Sequence, residues 1–160
     1  MDLQYLFELL CGGIVKGSIY ALIALGYTMV YGIIQLINFA HGEVYMIGAF
    51  VAFIVAGVLT LSGYSGLTIL LLAAVVAVIY AAAYGYTLEK IAYRPLRHAP
   101  RLSPLISAIG ASIFLMNYVQ LAQTPDFLPF PELVPEFEFM APIERYLSSV
   151  DLVILAVTTL

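Results

Sequence analysis

The stretch Ile37-Asn38-Phe39-Ala40-His41-Gly42-Glu43 sets an amide, an imidazole and a carboxylate inside a long apolar tract. One His and one Glu fall short of the three or four ligands that a metal site needs, so no metal is expected. The chain has no Ser-centred nucleophile elbow, no HExxH, no paired acidic site and no glycine-lysine phosphate loop. No catalytic residue, cofactor or enzymatic activity is therefore expected, and ATP hydrolysis by the usual phosphate-loop route is excluded. What remains is non-covalent chemistry. A broken helix exposes unpaired N–H and C=O groups able to hold the carboxylate and ammonium of an amino acid, and Gly42 permits close backbone approach. Asn38, His41, Gly42 and Glu43 are accordingly the first candidate pathway or gating residues.

Composition fixes the solvent around this break. Hydrophobic residues make up 63% of the 160 and charged residues 10%, against roughly 25% charged in an average soluble domain. Between Gly17 and Leu61, Glu43 is the only side chain charged at neutral pH, and none is charged from Val44 to Leu88. The expected fold is all-α, a polytopic transmembrane bundle in the cell inner membrane with lipid around it. The net charge of −4 says little about nucleic acid, and with no basic patch beside an aromatic platform no nucleic-acid partner is expected. Cys11 has no other cysteine to pair with and is expected to pack as a small residue. The N-terminus shows no cleavable signal pattern, so the first span is expected to act as its own targeting signal.

Spans are expected at about 9–37, 44–61, 67–88 and 102–124, with 151–160 beginning another. Before them, Leu3 to Leu10 is either an interfacial helix or the outer end of the first span. Gly13, Gly17 and Ala21 repeat every four residues, as do Gly48, Ala52 and Ala56. Small side chains in that register let another helix backbone come close. Tyr20, Tyr27 and Tyr31 fall near one helical face, which either packs or lines a path. Asn117, an amide in the fourth span, is expected to bond another helix or to line that path. Ser62-Gly63-Tyr64-Ser65-Gly66 is a turn short enough to make the second and third spans neighbours.

Lys90, Arg94, Arg97 and Arg101 stand against Glu89 alone, so the loop carrying them is expected on the cytoplasmic side. Pro95 and Pro100 argue against a continuous helix through it. Residues 125–150 are acidic and proline-rich, suiting the opposite face, and Glu136-Phe137-Glu138-Phe139 suggests a short extended piece. The polar break then lies on or near the cytoplasmic side. Two readings stay open there. Either Asn38 caps a new helix at the membrane surface, with His41 and Glu43 among the headgroups, or the break is buried. Burial of Glu43 costs about 2.5–3.5 kcal/mol on insertion scales and demands a water-filled cavity or a bonded partner.

Gly17-Ser18-Ile19-Tyr20-Ala21-Leu22, Gly26-Tyr27-Thr28-Met29-Val30-Tyr31-Gly32 and Ile37 to Glu43 closely resemble the permease subunits of high-affinity branched-chain amino acid ABC transporters. Glu89-Lys90-Ile91-Ala92-Tyr93-Arg94-Pro95-Leu96-Arg97 and Leu105-Ile106-Ser107-Ala108-Ile109-Gly110 extend the resemblance over nearly the whole chain. It implies an importer in which an extracytoplasmic amino-acid-binding protein delivers solute to two homologous permeases driven by two cytoplasmic ATPase subunits. It also implies a longer chain, so these residues are expected to be the N-terminal half of a truncated ABC importer permease, unable to transport alone. A passive channel or facilitator, or a nonfunctional fragment that associates with a full-length permease, are the competing readings.

Overall fold

A computed structural model describes residues 3–100, 102–124, 126, 128–131, 133 and 148–159. Among these residues the structure is helical, with no strand. The helices are α1 (Leu3–Ile34), α2 (His41–Leu61), α3 (Gly66–Leu88), α4 (Leu102–Ala122) and α5 (Ser149–Thr159). α1 to α4 each contain a stretch long and apolar enough to cross a membrane. The chain divides into two compact units, one of Met1–Thr28 with Val134–Leu160 and one of Met29–Leu133.

In the first unit α1 starts at Leu3 and runs through Gly12 and Gly13 without interruption. At 32 residues it rises about 48 Å, well beyond a hydrocarbon core of about 30 Å. Leu3 to Leu10 is thus continuous with the first long helix, which ends at Ile34, three residues before the limit expected for the first span. α5 opens with a reciprocal cap. The Val150 N–H donates to Ser148 Oγ at 3.3 Å, and the Ser148 N–H to Asp151 Oδ2 at 2.9 Å.

The second unit is built on the hairpin of α2 and α3. α2 ends where Gly63, at φ +77°, takes a left-handed conformation that costs a side-chain-bearing residue energy. At Gly66 there is no room for a Cβ, which would meet the Leu133 carbonyl. The small residues decide how closely the helices approach. A Cβ added at Gly48 would lie 3.7 Å from Ala81 Cβ and 3.9 Å from the Ala77 carbonyl. Ala56 is fully buried with Ile69 and Ala73, and Ala52 packs beside them. The second small-residue stripe therefore has its partner in Ala73, Ala77 and Ala81, themselves four apart. Gly13 and Gly17, by contrast, have nothing within 4 Å of an added Cβ, and Ala21 is exposed.

α3 does not end cleanly. It passes into a π-helical turn, Glu89–Tyr93, and then a 3-10 turn, Arg94–Leu96. Pro95 explains the change, since it has no N–H to donate and its ring clashes with the carbonyl four residues back. α4 then packs by one face, burying Pro104, Ala108, Leu115 and Val119. Ala40, Ile47, Leu115 and Val119 form one buried cluster, flanked by Phe50, Tyr84 and Leu88. Large apolar side chains such as Leu61 and Leu121 point outward, as a lipid solvent permits. Arg101 and Glu136 to Phe139 lie outside the described residues.

Candidate functional site

The break is a six-residue interruption between α1 and α2, and its first residue sets its direction. Gln35 adopts φ +55° and donates its N–H to the Tyr31 carbonyl at 2.8 Å, closing the last turn of α1. A left-handed conformation costs a residue with a side chain roughly 1–2 kcal/mol. Gln35→Gly is therefore expected to leave stability within about 0.5 kcal/mol of the parent or raise it, with relief of strain offsetting added freedom in the unfolded chain. Gln35→Val, β-branched, is expected to lose about 1–2 kcal/mol. Thermal unfolding in detergent separates the two, and equal melting would remove Gln35 as a determinant of the break.

Asn38 is half-buried and organises the turn that leads into α2. Its Oδ1 accepts the Ala40 N–H at 3.0 Å and the Tyr93 hydroxyl at 2.6 Å, while its own carbonyl accepts the His41 N–H at 3.2 Å. Ala40, not Asn38, occupies the position before α2, and no side chain caps that helix. Asn38 thus shapes a turn two residues before the cap position, because its amide reaches two residues along its own chain.

Glu43 lies in the first turn of α2, where a carboxylate complements the positive end of the helix. Its Oε1 accepts the Ser112 hydroxyl at 2.7 Å. Its Oε2 is buried without a hydrogen-bond partner among the described residues. Ser112 is ten residues into α4, so Glu43 reaches that helix about 15 Å from its start, while Gln35, Leu36 and Ile37 of the break line a hollow with Arg97, Ala99, Pro104 and Leu105 at its beginning. Ser107, one turn and a half earlier, donates to the Ala92 carbonyl in the π turn at 2.9 Å.

Three helical segments therefore meet at the break, joined by Asn38 to Tyr93 and by Glu43 to Ser112. The sequence reading singled out the first member of each pair and missed the second. Ser112 had a signal, since it follows Ala108 by four and precedes Leu115 by three on the buried face of α4. Tyr93 had none, because one aromatic in a basic loop does not announce that it is 5% exposed. His41 is half-buried and Gly42 exposed, with open space where a Cβ would stand.

The other candidates lie elsewhere. Tyr20 is 72% and Tyr31 50% exposed, and Tyr27 is half-buried. Tyr31 shares a hollow of about 670 Å³ with Gln35, Ile37, Arg97 and Pro104. Asn117 is exposed and donates to the Ile113 carbonyl of its own helix at 2.7 Å, so it makes no bond between helices through that nitrogen. It projects away from the face carrying Ser112. In the basic loop Lys90 Nζ stands 5.8 Å from the Tyr86 ring centre, Arg97 pairs with Glu89 at 3.4 Å, and Arg94 is exposed. Among the described residues no cluster of three or more metal-ligating side chains occurs. The site offers hydrogen bonds and one buried acid, which suit recognition and gating.

The chain as a whole is similar to known proteins. A family profile described as branched-chain amino acid transport system, permease component, matches residues 9–160. The high-affinity branched-chain amino acid transport system permease protein BraD of Pseudomonas aeruginosa is 52% identical over 135 residues, 84% of this chain and 44% of that protein. LivH of Escherichia coli K12, a permease protein of the same description, is 51% identical over 130 residues, 81% of this chain and 42% of its own. The Salmonella typhimurium LivH is 48% identical over 130 residues. The chain thus spans less than half the length of these curated relatives. No solved structure matches it significantly.

Proposed function

The chain belongs to the branched-chain amino acid transport permease family, and from that premise we propose that it forms part of the translocation pathway of an ATP-driven importer. It is a multi-pass protein of the cell inner membrane, with four helices of spanning length. Its solutes are leucine, isoleucine and valine. Its partners are a second homologous permease, two cytoplasmic ATPase subunits and an extracytoplasmic amino-acid-binding protein. The permease itself performs no covalent step; it supplies a path whose affinity differs between two states, and nucleotide binding shifts their populations.

The observation that carries this reading is the polar break with the acid that follows it, Asn38 and Glu43 each bonded to a neighbouring segment. The Glu43 carboxylate, with one oxygen bonded to Ser112 and the other buried, supports the buried reading for that residue, since an acid among headgroups has water for its partners. Reconstitution tests it. Vesicles holding the full-length permease pair and both ATPases, given the binding protein outside and ATP inside, are expected to accumulate leucine. Uptake that proceeds at the same rate without ATP would make the protein a passive facilitator instead.

A further inference from the structure

We propose that Tyr93 is a positioning residue for the break, its hydroxyl delivering movements of the basic turn to the unwound backbone at Asn38. The purpose of this link rests on the permease reading; its contacts do not. The π turn is fastened at two consecutive residues, Ala92 to α4 through Ser107 and Tyr93 to the break through Asn38. Its opposite side is open. Arg94 is exposed, and the ion pair there among the described residues joins an Arg97 side chain 58% exposed to Glu89 at 3.4 Å, a contact of little strength in water. Inner face held, outer face charged and accessible, the turn is a lever whose short arm ends on Asn38 Oδ1.

A buried tyrosine needs an acceptor in any case, so satisfaction alone explains a hydrogen bond but not its target. The target is the oxygen that also holds the Ala40 N–H, and with it the path of the backbone into α2. Residues 35–40 lie between α1 and α2, and the backbone bonds at their ends are the Gln35 N–H to Tyr31, the His41 N–H to Asn38 and the Val44 N–H to Ala40. Losing one bond to a side chain 55 positions away therefore frees the break without removing any packed atom except an oxygen. π turns are known to accumulate at functional sites, where a helix must yield locally.

The test uses the full-length permease in its assembled complex in membranes, with its native cysteines, Cys11 included, replaced by Ser and a reporter thiol from Ala40→Cys, a side chain 0% exposed that labels only when the break opens. Tyr93→Phe keeps the ring and hence the fold. It is expected to speed maleimide labelling at position 40 about fivefold, the equivalent of one ordinary hydrogen bond. Asn38→Ala, which also removes the bond from the Ala40 N–H, is expected to speed it at least as much, and the double variant no more than Asn38→Ala alone, since the contact with Tyr93 is already gone. In uptake, Tyr93→Phe is expected to lower the maximal rate and leave the half-saturating solute concentration unchanged. Unchanged labelling in Tyr93→Phe, or additive acceleration in the double variant, overturns the proposal. A parent complex that imports no amino acid removes the permease reading, while the labelling comparison still decides the role of Tyr93.

Discussion

Ala56→Phe is expected to cost the α2–α3 hairpin about 3 kcal/mol or more, at or above the upper end of what overpacking costs a filled interior. Ala56 is 0% exposed and packs with Ile69 and Ala73. The ring has nowhere to go unless the helices separate, and separation also opens the contact of Gly48 with Ala77 and Ala81. Between membrane helices, close packing supplies much of the attraction because lipid chains are as apolar as any side chain. Val58→Phe provides the control, since Val58 is 58% exposed on the same helix and its replacement is expected to change stability by no more than about 0.5 kcal/mol. Thermal unfolding of the purified permease in detergent reads both. Equal melting of the two variants would mean that the small-residue face does not hold the hairpin.

That face also shows what a membrane sequence reveals and what it hides. Gly48, Ala52 and Ala56 stand out because their neighbours on α2 are large. Ala73, Ala77 and Ala81 do the same work on α3 but are lost among the other alanines of that helix. In a soluble protein the polar face would identify the inner one by contrast. In lipid both faces are apolar, so the number of helices and the tight turn at Gly63 were legible while the orientation of each helix was not. Asn117 illustrates the difference: an amide in an apolar span suggested a partner across the bundle, yet its nitrogen is satisfied by the carbonyl four residues back. The break was legible because Asn38, His41 and Glu43 contrast with everything around them. Tyr93 was not, since its role depends on the π turn that Pro95 imposes on the end of α3.

Stability and transport are expected to respond in opposite ways at the pair of Glu43 and Ser112. Ser112→Ala removes the donor to Glu43 Oε1 and leaves both oxygens unpartnered, since Oε2 already has none among the described residues. A hydrogen bond to a charged group contributes about 1.5–3 kcal/mol, and Ser112→Ala should lose about that much. Glu43→Leu removes the acid instead. The freed Ser112 hydroxyl can then turn to the carbonyl four residues back, as Thr60 does to Ala56 and Thr87 to Ala83, each at 2.7 Å. The only other loss is a favourable charge at the start of α2, worth about 0.3–1 kcal/mol. Removing the buried acid is therefore nearly neutral or stabilising, whereas removing its partner is costly. If the carboxylate is kept for translocation, Glu43→Leu unfolds no earlier than the parent by more than about 1 kcal/mol, yet imports at least about tenfold more slowly. Unfolding in detergent together with ATP-driven leucine uptake in vesicles measures both. A stable Glu43→Leu permease that imports at the parent rate would reduce Glu43 to packing, and one that unfolds as early as Ser112→Ala would make the acid part of the fold.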